Sequence, residues 1–193
     1  ENSKLSDNNV NALYLDYRGN MWVATRQGLS VVQPGKDSFQ VFHISDGLSS
    51  NTVLNVLEDN DHFLWVSTLG GLSRIAVSID GSHIGLKCVN YDEYDGLQGR
   101  EFNGFAALKT SKGELVFGGA NGFNLFTPAS IVRDEHIPPV VLTGFRLFNK
   151  EVPLPASVQG EGKLVLSYDE NSFSLEFAAL SYINALKNKY SYR

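Results

Sequence analysis

The feature that most constrains the fold is a repeat in the first half of the chain, whose two copies lie 43 residues apart. A fixed period of this length indicates one supersecondary unit stacked repeatedly, because a single unit cannot bury both of its apolar faces alone. Such an architecture favours binding over catalysis. The matching positions are Leu5-Ser6 and Leu48-Ser49, Asn8 and Asn51, Val10 and Val53, Asp16 and Asp59, Trp22-Val23 and Trp65-Val66, Thr25 and Thr68, and Gly28-Leu29-Ser30 and Gly71-Leu72-Ser73.

Within each copy the hydrophobic pattern is that of short β-strands separated by turns. In the first strand Ala12 and Tyr14 alternate with Leu13 and Leu15, so both faces are apolar. That pattern is expected of a strand that is buried on two sides. Four short antiparallel strands in about 40 residues are typical of one blade of a β-propeller. In the first copy we predict these strands at residues 10–15, 21–24, 29–32 and 39–42.

A third, less regular copy follows the first two. The segment from Tyr91 to Leu97 repeats the segment from Phe42 to Leu48 with a spacing of 49 residues, and Val116 stands where the tryptophan stood. Terminal repeats are usually atypical, because one of their faces has no identical neighbour. We therefore predict the last blade of a partial propeller here, with four-stranded blades at residues 5–47, 48–96 and 97–128.

A change of pattern after the third copy predicts a second domain. Ile137-Pro138-Pro139 favours an extended connection, because residues before proline avoid the helical region. Beyond it the strand alternation resumes without the repeat, and Phe173, Leu175 and Phe177 share one face. Short strands at roughly ten-residue spacing favour a β-sandwich of the immunoglobulin type. We predict strands at 140–148, 163–167 and 172–178, a propeller over 1–136 and an incomplete sandwich over 137–193.

The repeated residues resemble a known family. The order Leu-Ser-x-Asn-x-Val, aspartate, Trp-Val-x-Thr and Gly-Leu is similar to the two-component regulator propeller repeat. The segment from Pro139 onward resembles the triple-tyrosine domain that follows such propellers, with Asn171–Tyr182 as part of its signature. Ala185 replaces a common proline, and His62 or Phe63 stands where the first turn usually has glycine. The resemblance implies structural roles for Tyr182, Tyr190 and Tyr192.

That resemblance implies the extracytoplasmic sensor of a hybrid two-component system of the Bacteroidetes type. Such sensors combine propellers, the triple-tyrosine sandwich, a membrane helix and a histidine kinase in one polypeptide, and their ligands are usually glycan fragments. It thus implies a periplasmic, non-catalytic region of an inner-membrane protein, with an oligosaccharide ligand and a homodimer in the full sensor. The membrane helix is expected outside these residues, and other blades are an alternative place for the ligand.

Composition agrees with an all-β protein that does not bind nucleic acid. The chain has 18 glycines and 11% aromatic residues, and its net charge is −5. A negative charge argues against binding to a phosphate backbone. No apolar run is long enough to span a membrane, and no signal peptide opens the sequence. Cys88 is the single cysteine, so an internal disulfide is excluded, and we predict a buried structural thiol.

The residues that catalysis or metal binding requires show no recognisable arrangement. The sequence has no Gly-x-Ser-x-Gly elbow, no phosphate-binding glycine loop and no His-Glu-x-x-His. We therefore expect no catalytic residue, no cofactor and no metal. Asp92, Glu93 and Asp95 could form a calcium loop, but their place between two blades favours turn-forming carboxylates. The histidines lack the spacing of a local metal site and are His43, His62, His83 and His136.

The repeated aspartates and tryptophans are interpreted as structural. Asp16 and Asp59 fall in the first hairpin of each copy, where a turn needs a hydrogen-bond acceptor. Trp22 and Trp65 could stack on a sugar ring. Their recurrence in the middle of a strand favours packing between sheets instead, so we predict that both are structural.

Connections at one end of the blades are the candidate ligand-binding surface. The connection that enters the first strand and the one that leaves the second lie at the same end of a sheet, because antiparallel neighbours reverse direction. Loops at one face of a propeller surround its central channel, a usual place for a binding site. Planar amide, guanidinium and carboxylate groups suit sugar hydroxyls, although they also solvate ordinary loops. The predicted ligand-binding residues are Arg26, Gln27, Asn51, Arg100, Glu101, Asn103 and Asn121.

Three classes of function remain open at this point. A periplasmic glycan-sensing module is favoured by the repeat and by the module that follows it. A protein-interaction propeller is the second class, and a propeller-based lyase or quinone-dependent dehydrogenase is the third. Oligosaccharide binding without turnover would distinguish the first class from the other two.

Overall fold

A computed structural model describes residues 5–131, 139–153 and 165–180 of the chain. The described residues form strands and short 3₁₀ turns, so the protein is all-β, as predicted. The chain divides into two compact units, Glu1–Val132 and Arg133–Arg193, and each is described by itself.

Residues 5–131 of the first unit form three antiparallel sheets, and each sheet consists of strands that follow one another in the chain. Sheets 1 and 2 have four strands each, as the repeat predicts. Sheet 3 has three strands within the described residues, where we predicted four. The strands are β1 Val10–Leu15, β2 Met21–Thr25, β3 Gly28–Val32 and β4 Gln40–Phe42 in sheet 1, β5 Val53–Glu58, β6 Leu64–Thr68, β7 Gly71–Asp80 and β8 His83–Tyr91 in sheet 2, and β9 Phe102–Lys109, β10 Leu115–Gly119 and β11 Gly122–Phe126 in sheet 3.

The three sheets pack in chain order, with sheet 2 in the middle. Trp22 of sheet 1 shares one apolar core with Ile75 of sheet 2. Trp65 of sheet 2 shares a second core with Phe102 and Phe117 of sheet 3. The first strands β1, β5 and β9 contact one another, which places them on the inner side of the stack. Stacked antiparallel sheets with adjacent first strands are the arrangement of consecutive propeller blades.

The prediction that β1 is buried on both faces was wrong. Ala12 and Tyr14 pack against the core that sheet 1 shares with sheet 2. Leu13 and Leu15 point the other way and are 64% and 62% exposed. The reason is that sheet 1 has a neighbouring sheet on only one side within the described residues, so the second apolar face of β1 has nothing to pack against.

The first hairpin of each sheet is closed by a turn of the same length. The register pairs Leu15 with Met21 in sheet 1, and sheets 2 and 3 keep the same separation between strands. Asp16 Oδ1 accepts hydrogen bonds from the backbone N–H groups of Arg18 and Asn20, at 3.0 and 2.8 Å. Asp59 Oδ1 does the same in sheet 2. The predicted role of both aspartates as turn acceptors is therefore confirmed.

The same aspartates also hold the buried tryptophans, a contact that the sequence analysis missed. Asp16 Oδ2 accepts from Trp22 Nε1 at 2.8 Å, and Asp59 Oδ2 accepts from Trp65 Nε1 at 2.8 Å. Both indoles are fully buried. A buried indole N–H needs a hydrogen-bond partner, so the turn and the core depend on one carboxylate. In sheet 3 the two equivalent positions have both changed, to Thr110 and Val116.

The turn of sheet 2 contains His62 at the place where the other two turns have glycine. His62 has φ 64°, in the left-handed region, and Gly19 and Gly113 have φ 80° and 82°. Its Nδ1 lies 2.9 Å from Oε1 of the buried Glu58, and its ring stacks on Tyr17 of sheet 1 at a centroid distance of 3.6 Å. These contacts join the hairpins of two sheets and offset the strain of a non-glycine residue in this conformation.

The outer hairpin of sheet 2 is much longer than that of sheet 1. Strands β7 and β8 have 10 and 9 residues, against 5 and 3 in β3 and β4. This lengthening explains why the spacing grows from 43 to 49 residues after the second copy. The amide of Gln40 in β4 donates from Nε2 to the Ile84 carbonyl at 2.5 Å and accepts at Oε1 from the Ile84 N–H at 2.9 Å. Gln40 thereby pairs with the edge strand β8 as a neighbouring strand would.

The second unit contains one described sheet, in the order β13-β12-β14. Its strands are β12 Val140–Leu147, β13 Lys150–Glu151 and β14 Phe173–Ala179, which confirms two of the three predicted strands. The strand predicted at 163–167 was wrong over its described part, since the Ser167 N–H and hydroxyl both bond to Glu170 Oε2 in a turn. Such local bonds compete with a strand ladder. The rest of that segment lies outside the described residues, and the sandwich stays a prediction.

Candidate functional site

The strand registers place the predicted ligand-binding loops at one end of their sheets. The start of the first strand pairs with the end of the second in each case, as Val10 with Thr25, Val53 with Thr68 and Phe102 with Gly119. The connection that enters each sheet and the turn that leaves its second strand therefore meet at this end. We call it the loop end, and the end with the Asp16 and Asp59 turns lies opposite.

In sheet 1, side-chain hydroxyls fasten the entering connection to the sheet at the loop end. Ser6 Oγ lies 2.8 Å from Thr25 Oγ1 and 2.9 Å from Ser30 Oγ. The Ser6 N–H donates to Ser30 Oγ at 3.2 Å, and Thr25 Oγ1 donates to the Gly28 carbonyl at 2.8 Å. Each hydroxyl can donate and accept, so the cluster is satisfied internally. Sheet 2 repeats it with Ser49, Thr68 and Ser73.

Sheet 3 fastens its entering connection differently. Gln98 occupies the position of the first serine, and its N–H donates to Asn124 Oδ1 at 2.9 Å. Gly119 replaces the threonine, and the Gln98 side chain fills the space, since a Cβ on Gly119 would lie 2.0 Å from Gln98 Nε2. The Gln98 amide also donates to the Glu101 carbonyl and accepts from the Asn121 N–H. Hydrogen bonds therefore anchor the entering connection in all three sheets.

Two of the seven predicted ligand-binding side chains are engaged in bonds within the protein. Asn51 Oδ1 accepts from the Ile44 N–H at 2.8 Å, which ties the entering connection to the preceding 3₁₀ turn. Arg100 holds the same position in the next connection, and its Nε contacts both oxygens of Glu93 at 2.8 Å. The hydrogen bond from Arg100 lowers the pKa of the exposed Glu93 carboxyl below its ordinary value. Asn51 and Arg100 thus position loops in this structure.

The other five predicted residues are exposed, and their side chains have no hydrogen bond or ion pair in the part of the chain that the structure describes. Their backbone atoms are nevertheless anchored. The Arg26 carbonyl accepts from Thr52 Oγ1, and the Asn103 carbonyl accepts from Asn55 Nδ2 at 2.8 Å. Free polar side chains on a fixed backbone can meet a ligand without a large loss of entropy. These residues are Arg26, Gln27, Glu101, Asn103 and Asn121.

Aspartate carboxylates close the 3₁₀ turns between sheets. They include Asp92 and Asp95, for which a calcium loop was the alternative interpretation. Asp92 Oδ1 accepts from the Tyr94 N–H, and Asp95 Oδ2 accepts from the Asp92 N–H. Asp46 repeats the second bond with the His43 N–H. This confirms the turn-forming role predicted for these carboxylates. Within residues 5–131, 139–153 and 165–180, no three His, Cys, Asp or Glu side chains converge as metal ligands would.

The remaining sequence predictions concern residues away from the loop end. Trp22 and Trp65 are fully buried between sheets, so their ring faces are not accessible to a sugar. Cys88 is half-buried beside the first core, and burial raises the pKa of its thiol to about 11, with the Asp46 carboxylate adding to the effect. Tyr182, Tyr190 and Tyr192 lie outside the described residues.

Sequence comparison matches the first two strands of sheets 1 and 2, with the connections that enter them, to a known repeat family. Residues 4–27 and 47–70 match the family described as two component regulator propeller. A histidine kinase of Formosa agariphila, named histidine kinase P4, is 30% identical over an alignment that covers 98% of this chain and 17% of the relative. The chain therefore spans about a sixth of that protein.

Structural comparison identifies one extracellular domain with a similar fold and a second, weaker match. That of the hybrid two component system BT3049 from B. thetaiotaomicron has a TM-score of 0.71 and 28% identity, over 93% of this chain and 24% of that chain. That of BT4673 from B. thetaiotaomicron has a TM-score of 0.39 and 19% identity, over 90% of this chain and 28% of that chain. The chain thus carries two-component regulator propeller repeats in an all-β, propeller-type fold.

No helix among the described residues is long and apolar enough to cross a membrane.

Proposed function

We propose that this chain is part of the periplasmic sensor region of a hybrid two-component system, and that it takes part in recognising an oligosaccharide. The observation that carries the proposal is the match of both early repeats to the two component regulator propeller, together with a histidine kinase that is similar along almost the whole chain. The likeness to an extracellular domain of a hybrid two component system supports the location.

The geometry of the loop end supports an oligosaccharide as the ligand. It presents free amide, guanidinium and carboxylate groups. Each of these planar groups can make two hydrogen bonds to neighbouring hydroxyls of a sugar. The connections that bear them are held by buried or half-buried hydroxyls and amides, so the site is pre-formed. A binding role without turnover fits a surface that offers donors and acceptors but no nucleophile paired with a base among these residues.

In this proposal the second unit is a triple-tyrosine sandwich that passes the signal to a membrane helix and a histidine kinase. Ligand binding can shift a signalling equilibrium only through different affinities for two states, for which two arrangements of a sensor homodimer are the simplest choice. A full-length protein lacking residues 137–193 should therefore bind its ligand and fail to activate its target genes. Normal glycan-dependent transcription by that variant would contradict the proposed route.

Isothermal calorimetry with purified oligosaccharides tests the binding function itself. The panel contains hexose, pentose and uronate oligomers of defined length, and product analysis of each mixture follows the same samples. We expect saturable heat for one class and no change in the oligosaccharide. Absence of binding across the panel would count against glycan sensing, and cleavage or oxidation of a glycan would favour the lyase or dehydrogenase class.

A protein-interaction propeller is the second candidate function, and exposed apolar residues on both outer sheets favour it. They include Leu13 and Leu15 on sheet 1 and Phe123 and Leu125 on sheet 3. Exposed apolar surface of this kind marks contact with another protein surface. Substitution of the free loop-end residues would leave partner binding intact in this case, whereas charged substitutions on the outer faces would abolish it.

A further inference from the structure

The inner strand of sheet 3 has a larger bulge than the inner strands of sheets 1 and 2. Between the pairs Phe102 with Gly119 and Ala107 with Phe117, the four residues 103–106 of β9 face the single residue Gly118 of β10. The corresponding shifts in sheets 1 and 2 involve one extra residue each, Asn11 and Leu54. Bulges bend a strand and re-aim its side chains, and they are common beside binding sites.

Phe105 lies in this bulge in an unusual conformation. Its φ is 59°, in the left-handed region, which residues other than glycine rarely adopt because of their Cβ atom. The residue is 91% exposed, although burial of a phenylalanine ring is favourable. The residue therefore carries two separate costs, a strained backbone and a solvated ring. Backbone strain of this kind is concentrated at functional sites.

The bulge is held from the neighbouring sheet and is not a frayed loop. The Asn103 carbonyl accepts from Nδ2 of Asn55, and Asn55 is itself buried and bonded to Ser67 Oγ at 2.9 Å. The bulge begins after Phe102, a fully buried core residue, and ends at Ala107, which packs against the same core. Phe105 is thus displayed from a fixed backbone on the inner strand, two residues from the free amide of Asn103.

We propose that Phe105 is the aromatic platform of the ligand site, on which the apolar face of a sugar ring stacks. The amide of Asn103, on the same strand, and the carboxylate of Glu101, in the connection just before it, bond the hydroxyls at the edge of that ring. A pyranose has C–H groups on one face and hydroxyls around its rim, so an exposed ring beside free planar polar groups matches both surfaces. This assignment rests on the proposed function and names a residue that the sequence analysis did not select.

Phe123 provides a matched control for the alternative that Phe105 only makes apolar contact between sheets. It lies on β11 of the same sheet, is 67% exposed and faces outward from the stack. If Phe105 were merely an apolar residue for contact between sheets, substitution of either phenylalanine would have the same consequences. If Phe105 stacks on a sugar, only its own substitution weakens oligosaccharide binding.

Four variants of the 193-residue chain test the proposal with the oligosaccharide panel described above. Phe105→Ala should weaken binding about ten- to a hundredfold, which corresponds to loss of a buried phenylalanine ring. Phe105→Tyr should bind within a few-fold of the unmodified chain, and so should Phe123→Ala. Phe105→Gly should lose affinity as Phe105→Ala does, yet raise the midpoint of thermal unfolding by about 2–4 °C, because glycine relieves the positive φ.

The outcomes separate this proposal from the proposed function. Oligosaccharide binding by the unmodified chain that survives Phe105→Ala would overturn the platform and leave glycan sensing intact. Equal loss of thermal stability in Phe105→Ala and Phe123→Ala, with unchanged affinity, would assign Phe105 to packing and also overturn it. Failure of the unmodified chain to bind any member of the panel would overturn both.

Discussion

At the residue scale, the bond between Asp59 and Trp65 is the clearest link between turn and core. The carboxylate closes the hairpin with one oxygen and receives the indole N–H on the other. The indole lies between Tyr91 of its own sheet and Phe126 of sheet 3, with ring centroids at 5.7 and 4.9 Å. A single side chain therefore contributes packing to two sheets.

We predict that Trp65→Ala lowers the free energy of unfolding by about 3–5 kcal/mol, because a large cavity replaces a fully packed ring. Trp65→Phe keeps an aromatic ring but leaves Asp59 Oδ2 without its donor, and should cost about 1–3 kcal/mol. Urea unfolding followed by circular dichroism measures both. A Trp65→Ala variant of unchanged stability that had lost only sugar binding would reverse the structural assignment.

The side-chain contacts of His62 should stabilise its turn by more than its left-handed backbone conformation destabilises it. Glycine at this position would relieve about 1 kcal/mol or more of strain, but the bond to Glu58 and the stack on Tyr17 would be lost. Since a hydrogen bond to a charged group contributes about 1.5–3 kcal/mol, His62→Gly should be destabilising overall. In a Glu58→Leu background, with the leucine that sheet 1 has at this position, the same change should destabilise less, because only the stack on Tyr17 is lost. Stabilisation by His62→Gly alone would contradict this.

The thiol of Cys88 should make stability depend on pH only in the alkaline range. Its pKa is about 11 in the folded protein and 9.0 for an unperturbed thiol, mainly because burial disfavours the thiolate. Above pH 9 the unfolded chain loses this proton while the folded chain keeps it, so rising pH favours unfolding until both have lost it near pH 11. The stability difference between the unmodified chain and Cys88→Ala should be constant below pH 9 and change between pH 9 and 11. A flat difference across that range would contradict it.

At the scale of elements, the repeat predicted the inner strands well. β1 has the predicted bounds, and β2 and β3 differ by one residue at one end, because the spacing of the repeat and the turn residues mark these strands. The long β7–β8 hairpin was underestimated, since an insertion at the outer edge leaves the inner strands unchanged. The bulge at Phe105 was not predictable from local preference, because phenylalanine disfavours the conformation that it adopts there.

For the candidate site, the sequence predicted which connections lie at the same end of the sheets. Antiparallel alternation alone gives that result. Which side chains are free depends on tertiary contacts, and sequence gives no sign that Asn51 caps a 3₁₀ turn or that Arg100 pairs with Glu93. Phe105 could have been suspected only from Asn-Gly-Phe within an otherwise regular strand, where the glycine hints at a bulge.

The contact between Gln40 and Ile84 should control exchange at the outer edge of sheet 2. The Ile84 amide is bonded to a side chain and not to a strand, so its protection depends on one residue. We predict that Gln40→Ala increases the hydrogen-exchange rate of the Ile84 amide while the amides of the central strand β6 stay protected. Unchanged exchange at Ile84, measured by NMR, would show that another group protects it.

At the scale of the whole molecule, the outer faces of sheets 1 and 3 determine how the isolated chain behaves. Known propellers close with about four to eight blades, and three sheets leave two outward faces. Both faces carry exposed large apolar side chains, whereas β6 of the middle sheet is entirely buried. Exposed apolar faces and unpaired sheet edges promote association.

We therefore predict that the 193-residue chain self-associates in solution, which sedimentation equilibrium measures directly. Replacing Leu13 and Leu15 with lysine should shift the distribution toward smaller species, because charge opposes burial of that face. The pair Ser78→Lys and Asp80→Lys, on the exposed tip of the β7–β8 hairpin, is the control and should not. A stable, monodisperse monomer with cooperative unfolding would refute the argument from open faces.

The shared carboxylate of the first hairpin also constrains how these repeats can diverge during evolution. If the aspartate were lost first, a buried indole N–H would be left without an acceptor, at a cost of about 1–3 kcal/mol. If the tryptophan were lost first, the aspartate would still close its turn through the backbone N–H groups. Loss of the tryptophan would nevertheless open a cavity that costs about 3–5 kcal/mol, so neither residue changes freely alone and we expect the two to be replaced together. Sheet 3, with Thr110 and Val116, is the outcome of such a change, since the Thr110 hydroxyl still accepts from the Lys112 and Glu114 N–H groups while no indole remains to be satisfied.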